Sequence, residues 1–230
     1  MTWPYYGDSR PDIQRLVTAA GRSFLDVGCG EGALSAALKA AGADHVAGIE
    51  LETAAAAQAR RRLDVLVEGD VMSVALPFAP EEFDYLLFGD VLEHLPDPDA
   101  ALERLLPYLK HDGRVVVSVP NMRFYPVLLR LLVDRWSYTD AGVRDRTHLR
   151  IFTRRSLERT IGRAGLSLER MERNYRLLED QSDIGRLGAV ATRVAGRTVG
   201  PLLFRDLMAF QYLVVARRKN SPASRPPRTE

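Results

Sequence analysis

The first residues whose types and spacing point to chemistry lie in Leu25-Asp26-Val27-Gly28-Cys29-Gly30-Glu31-Gly32, where a short apolar run ends in a cluster of glycines. Gly28, Gly30 and Gly32 let the backbone take left-handed angles and pass close beneath a ligand. The spacing is Gly-x-Gly-x-Gly rather than the Gly-x-Gly-x-x-Gly of dinucleotide sites, and Glu31 puts a negative charge where a pyrophosphate would sit. The turn therefore suits a ligand without phosphate at that point. Glu50 closes the next strand, about 20 residues past the turn, where a domain of this kind carries the acid that binds ribose hydroxyls. Asp70, in Glu68-Gly69-Asp70-Val71, follows a third strand. It reads as an acceptor for an adenine amino group or as a turn residue beside Gly69. In series with Asp26 and Glu50, ligand binding is favoured.

Two further clusters carry groups able to move a proton. Asp90, Glu93 and His94 follow the fourth strand, and Asp145-Arg146-Thr147-His148-Leu149-Arg150 precedes a helix. Histidine titrates near neutrality, so it suits removal of a proton from an acceptor hydroxyl. His148 is the expected base, with His94 and Asp145 as the other catalytic candidates. A structural reading competes: Asp97 caps a helix, Pro96 and Pro98 fix the turn, and His94 bonds to backbone. Glu93 and His94 are expected in that structural or cofactor-lining role. Arg144, Arg146 and Arg150 flank His148 and would suit a phosphorylated, nucleotide-linked or carboxylated acceptor. The alternative is pairing with Asp140, Asp145 and Glu158 at the surface.

The elements that must position these residues alternate in type. Strands are expected at Ser23–Gly28, His45–Glu50, Val65–Glu68, Phe83–Phe88, Gly113–Val119, Leu166–Arg173 and Ala209–Ala216. Helices are expected at Glu31–Ala41, ended by Gly42, from a Thr53 cap through Arg62, over Asp97–Leu109, and from a Thr153 cap through Ala164. Continuous apolar strands alternating with helices indicate a mostly parallel sheet covered on both faces. Residues 120–150 form an insert expected to serve as acceptor pocket or lid, with Asn121, Arg123, Phe124 and Tyr125 lining it. Val127, Leu128, Leu131, Leu132 and Trp136 recur there at helical spacing, and ordinary packing on the domain is expected ahead of a dimer face or a membrane-surface helix. Residues 176–206 form a variable insert with an amphipathic helix over Ile184–Val199, and 220–230, rich in Ser, Pro and Arg, reads as a disordered tail.

The segment Phe24 to Gly32 closely resembles the first motif of class I S-adenosylmethionine-dependent methyltransferases. Glu50, Gly69-Asp70, Phe83-Asp84-Tyr85, Leu92-Glu93-His94-Leu95-Pro96-Asp97-Pro98 and Gly113-Arg114-Val115 match later motifs in order. The resemblance covers roughly residues 20 to 175 and the final strand. It implies a Rossmann-like doubly wound α/β fold with a seven-stranded sheet whose last strand is antiparallel. The implied cofactor is S-adenosylmethionine, with S-adenosylhomocysteine as product. Asp26 and Gly28 to Gly32 would flank its amino-acid part, Glu50 the ribose, and Asp70 and Val71 the adenine. Gly89 and Asp90 would lie near the methionine group. The Asp145–Arg150 segment, with Tyr5-Tyr6 and Arg10-Pro11-Asp12, resembles a methionine-biosynthesis-like and sugar- or lipopolysaccharide-associated subgroup. Small-RNA 2′-O-methyltransferases and ubiquinone-pathway O-methyltransferases have a similar Glu-x-x-Glu-His arrangement that can hold a metal. Asp90 replaces its first Glu here, and no metal is expected.

Composition limits the remaining choices. At 230 residues the chain suits one domain, expected over 1–219. A net charge of only +2 argues against nucleic acid as the partner, so a metal-dependent RNA methyltransferase ranks below a small-molecule enzyme. A non-catalytic partner protein that keeps bound cofactor is a further alternative. Cys29 is the one cysteine, and it is not a nucleophile candidate, having no adjacent histidine. It permits no internal disulfide, which fits a reducing cytoplasm. Neither a signal peptide nor a membrane-spanning run is evident, and a homodimer is compatible with the sequence. The expected reaction is O-methylation of a small hydroxylated metabolite, such as a sugar or glycolipid precursor.

Overall fold

The structure is a computed structural model that describes residues 7–175 and 202–219. Tyr5-Tyr6, the expected helix at Ile184–Val199 and the 220–230 tail lie outside the described residues. Seven strands form one sheet: β1 (Ser23–Val27), β2 (His45–Glu50), β3 (Val65–Glu68), β4 (Phe83–Gly89), β5 (Leu109–Pro120), β6 (Leu166–Asn174) and β7 (Gln211–Arg218). Their order is β3-β2-β1-β4-β5-β7-β6. The first five are parallel, and β7 runs antiparallel between β5 and β6. This is the expected mostly parallel sheet with an antiparallel last strand.

Period-two alternation sends each strand's side chains to two separate cores. On one face Leu25, Val27, Leu86, Phe88, Val115 and Val117 pack beneath α4 (Pro98–Leu105) and α6 (Arg154–Arg163), which contribute Leu102, Leu105, Leu157 and Ile161. On the other, Phe24, Tyr85, Leu87 and Val116 meet Leu34 and Leu38 of α2 (Ala33–Ala40) and Ile13 of the short α1 (Pro11–Gln14). Asp26 alternates with Phe24 along β1. That places its carboxylate on the α2 face inside an otherwise apolar layer.

Most helix ends follow their expected signals. Asp97 caps α4 by accepting from the Ala100 amide at 3.0 Å, and Thr153 with Ser156 forms a reciprocal cap on α6. Gly42 follows α2 at φ 92. Thr53 is a correction: it is the first helical residue of α3 (Thr53–Ala59), and Glu52 sits at the cap position without a side-chain bond. That helix also stops short of Arg62, because the chain turns there so that Leu63 packs with Ala59 and Cys29. The apolar stripe after Phe124 is a second correction. Helix α5 (Tyr125–Leu132) buries Val127, whereas Leu131, Leu132 and Trp136 are exposed. Among the described residues no helix is long and apolar enough to cross a membrane.

The last strand starts two residues later than expected, and Asn121 gives the reason. Its fully buried side chain donates to the carbonyls of Asp206 (2.6 Å) and Ala209 (2.8 Å) and accepts from the Arg123 amide (2.9 Å). Those bonds tie the end of helix α7 (Leu202–Met208) to the end of β5 and put Gln211 opposite Pro120. Asn121→Ala would leave two buried carbonyls and a partly buried amide without this partner. It is expected to lower unfolding free energy by about 2–4 kcal/mol, measured by urea denaturation, with an unchanged m-value.

Candidate active site

A cavity of about 460 Å³ opens at the carboxyl ends of β1, β2, β3 and β4. A doubly wound sheet holds ligands there because the strand order reverses beside β1 and leaves a crevice. Of the expected cofactor residues, Asp26, Gly28, Gly30, Glu50, Asp70, Val71, Gly89 and Asp90 line it, and so do His94, Asp145 and His148. Gly28 has φ 64, and a β-carbon there would lie 2.7 Å from Val91 Cγ2, so glycine lets the β4 loop close over the turn. Gly32 is placed elsewhere. It does not line the cavity, and its missing side chain makes room for Leu63 and Ala59, which packs α2 against α3.

Glu50 organises the turn. Its buried carboxylate accepts from the Gly30 amide at 2.7 Å and from the Glu52 amide at 2.8 Å, so this acid of the cavity wall also shapes the glycine loop. Asp70 is a turn residue whose side chain also reaches the cavity. It accepts from the Met72 amide at 2.8 Å as a turn residue, yet it stays exposed on the cavity wall. Asp26 accepts from Ser35 Oγ at 2.8 Å. Burial pushes its pKa up to about 7, and nearby Glu50 adds to the rise against the opposing effect of Ser35 and Arg10.

Asp90 lines the cavity, but its carboxylate is committed to protein partners. It accepts from Ser118 Oγ (2.6 Å), Arg10 Nη1 (2.9 Å) and Gln211 Nε2 (2.8 and 2.9 Å), with its own backbone at φ 58. Arg10 also grips Asp12 through Nε at 3.0 Å and donates to Ser118 Oγ at 2.8 Å. Burial works against the Arg10 charge, but Asp90 and Asp12 outweigh it and its pKa is raised. Sequence reasoning placed Arg10 only within a subgroup motif and missed Ser118 and Gln211 altogether. Nothing in their local pattern distinguishes them.

Beyond Asp90 the two remaining clusters meet. Thr147 Oγ1 donates to Asp145 Oδ1 at 2.8 Å and lies 3.0 Å from His94 Nδ1. With its hydroxyl proton on Asp145, Thr147 accepts from Nδ1–H, which leaves the lone pair of His94 on Nε2. Asp145 thus meets His94 through the Thr147 hydroxyl rather than directly. His148 stacks edge-on against His94 at 4.8 Å between ring centroids. Burial first, then the neighbouring His94, lowers its pKa below the usual imidazole value, while Asp145 and a bond to the Val143 backbone oppose this. The shift favours the neutral imidazole.

Glu93 completes this end of the cavity. It is 1% exposed, its Oε2 has no hydrogen-bond partner among the described residues, and burial with Asp90 nearby drives its pKa well upward. One ligand atom each from Glu93, His94 and His148 lies within 4.8 Å of the others, a donor set able to hold a divalent ion. Asp90, the remaining member of the sequence cluster, is engaged elsewhere. The arginines around His148 do not form an anion cradle. Arg144 donates to Ser137, Arg146 pairs with Asp140 at 2.7 Å, and Arg150 donates to the Pro96 carbonyl. Asn121, Arg123, Phe124 and Tyr125, expected on the acceptor wall, do not line the cavity. Phe124 packs on Phe210 instead, and Pro120 and Phe210 take the wall positions.

The cavity's charge is one-sided. Eight carboxylate residues line it, with Arg10 the single arginine or lysine. Asp26 is the member whose titration bears directly on stability. Its folded pKa lies above the unfolded value, so the native state holds the extra proton between about pH 4 and pH 7 and stability from this group falls as pH rises through that window. Asp26→Asn keeps an acceptor for Ser35 and removes the buried charge. It is expected to raise Tm of the ligand-free protein at pH 8 by about 2–4 °C or more and to flatten the fall between pH 4 and 7, as followed by calorimetry.

Residues 7–170 match the family model described as a methyltransferase domain. A ubiquinone biosynthesis O-methyltransferase from Aromatoleum aromaticum is 35% identical over 127 residues, which are 52% of this chain and 53% of that protein. The chain spans about half the length of the curated relatives it matches. Among solved structures, an S-adenosylmethionine-dependent methyltransferase from Mesorhizobium loti aligns with a TM-score of 0.63 at 18% identity, covering 92% of this chain and 99% of that one. One from Archaeoglobus fulgidus aligns with a TM-score of 0.63 at 17% identity, covering 91% and 92%. The chain belongs to the methyltransferase domain family and has the fold of S-adenosylmethionine-dependent methyltransferases.

Proposed function

We propose that the protein transfers a methyl group from S-adenosylmethionine to a hydroxyl of a small metabolite. The observation that carries this reading is the acid-walled cavity closed by the glycine turn, with Glu50 on one side and the His94–His148 pair on the other. The cavity fits the cofactor that the fold implies. A ligand with a sulfonium and an ammonium finds carboxylates around it, and a pyrophosphate would be repelled. When bound, the cofactor supplies an electrophilic methyl on a cationic sulfur. Glu50 accepts from the ribose hydroxyls, Asp70 and Val71 border the adenine, and Asp26 with Gly28 and Gly30 borders the amino-acid end.

His148 receives the acceptor proton. It is shifted toward the neutral imidazole, half-buried on the cavity wall, and held by the Val143 backbone. His94, oriented through Thr147 and Asp145, flanks the same acceptor. The O-methyltransferase relatives support oxygen as the methylated atom. A sugar, glycolipid precursor or similar metabolite is the acceptor class proposed. The partners already held by Arg144, Arg146 and Arg150 count against a phosphate grip at this position.

A second reading rests on Glu93, whose buried oxygen, without a partner among the described residues, shares a donor set with His94 and His148. In it these three residues hold a divalent ion that orients the acceptor oxygen.

Calorimetric titration with S-adenosylmethionine is expected to show binding, and NAD none. Glu50→Ala should weaken that binding roughly tenfold or more through loss of a charged acceptor. Failure of the native protein to bind would end the methyltransferase reading. His148→Ala is expected to keep cofactor affinity while turnover of a hydroxylated acceptor falls about 10²–10⁴-fold. Turnover insensitive to a chelator supports His148 as base, whereas loss with chelator and recovery on adding metal supports the second reading.

A further inference from the structure

Outside the lining of the cavity, a separate group of charges converges on Asp206. Gln211 points toward Arg10 and Asp12, whereas the next residue, Tyr212, packs into the α4–α6 core. Around Tyr212 stand Arg123 from the β5–α5 loop, Arg154 at the start of α6, Arg173 from β6 and Asp206 from α7. Asp206 is 4% exposed. It accepts from Arg173 Nε at 2.6 Å and lies 3.4 Å from Arg154 Nε and 4.0 Å from Arg123 Nη1. Glu158 takes one Arg154 nitrogen at 3.1 Å.

Three guanidiniums thus face two carboxylates, and only Arg173 makes a close bond to Asp206. Among the described residues the excess is one positive charge, and the Arg123 side chain has no hydrogen bond. The positive end of α6, a 10-residue helix, adds to it. Tyr212 gives a second, independent sign. Its side chain is fully buried, and its hydroxyl has no hydrogen-bond partner among the described residues. That hydroxyl lies in the field of the same Asp206, Arg123, Arg173 and Arg154. A buried phenol left unpaired is destabilising, and a polar ligand would relieve this. Arg123 and Arg154 remain about one-third exposed, so the cluster is open to solvent.

We propose that Arg123, Arg154, Arg173 and the Tyr212 hydroxyl form a binding site for a phosphate-like oxyanion, separate from the cofactor cavity. Guanidiniums offer paired donors to tetrahedral oxyanions, and the phenol supplies one more. Asp206 sets the arginines in place and keeps the site from being so positive that the empty form is unstable. The oxyanion is either free phosphate or the phosphate of a larger molecule. The site's position beside Asn121 links its occupancy to the α7–β7 corner that carries Phe210 and Gln211 to the cavity wall. The inference does not depend on the methyl-transfer reading.

The test measures Tm and calorimetric binding of the full chain in sodium phosphate, in glycerol phosphate, and in sodium chloride at matched ionic strength. Phosphate is expected to raise Tm saturably beyond chloride. The doubly substituted Arg123→Gln/Arg154→Gln chain should bind inorganic phosphate roughly tenfold more weakly or worse, and Tyr212→Phe should bind severalfold more weakly with Tm in chloride kept or raised. Tighter binding of glycerol phosphate than of inorganic phosphate assigns the site to a phosphorylated organic molecule, and the reverse to the free anion. Asp206→Asn should lose Tm in chloride and recover more of it in phosphate than the native chain gains, which a purely structural ion cluster would not do. The proposal fails if phosphate stabilises no more than chloride or stabilises the double variant equally. It also fails if cofactor affinity falls in step with phosphate affinity in that variant, since the site would not then be separate.

Discussion

One buried guanidinium holds the carboxyl end of this sheet together. Arg10 reaches Asp12 beside it, Asp90 after β4 and Ser118 on β5, and Gln211 of β7 bonds to the same Asp90. Asn174 at the end of β6 bonds in turn to Asp12 and Gln211. Four strand ends and the N-terminal segment therefore share one polar network. A charge as buried as this persists only when its partners are complete, and losing one typically costs about 3–5 kcal/mol. That requirement fixes where the N-terminal segment lies, and the segment in turn closes one side of the cavity. Both Arg10 and Asp90 sit at left-handed backbone angles, strain that the network offsets.

The same economy of charge explains the character of the cavity. Arg10 binds both Asp12 and Asp90, one positive charge against two negative ones, so the described lining of the cavity stays net negative. Asp26 and Glu93 respond by holding protons more tightly than a carboxyl in water. A cationic ligand would relieve that unfavourable state, so ligand affinity and the instability of the empty cavity have a common source. Glu50 accepts from two backbone amides, which tie it to the glycine turn and to the start of α3.

Much of this was legible in the residue order because it is local. A strand running into glycines, then a helix, sets the cavity floor through backbone geometry within about ten residues. The caps at Asp97 and Thr153 read correctly for the same reason, since each bonds only three residues ahead. Thr53 misled because a cap signal one residue late looks the same in sequence. The arginines beside His148 were equally ambiguous. Their type says they can bind an anion, but which carbonyl or carboxylate they meet depends on how residues 137–150 fold back on themselves. The α5 stripe shows the matching limit for apolar residues, because helical spacing does not reveal whether a partner surface exists.

The sequence by itself determined the sheet, its alternation with helices, the turn, and the acids at the ends of successive strands. These follow from patterns shorter than one strand–helix unit. Tertiary structure alone decided which charges pair. Arg10 meets Asp90 across 80 positions, Gln211 meets Asp90 across 121, and Arg173 meets Asp206 across 33. It also brought His94 against His148 and separated Asp206 and its arginines from the cavity. No local periodicity encodes such contacts. They exist because an electrically unpaired group cannot be buried cheaply, and only the folded arrangement of strand ends determines which partner is within reach.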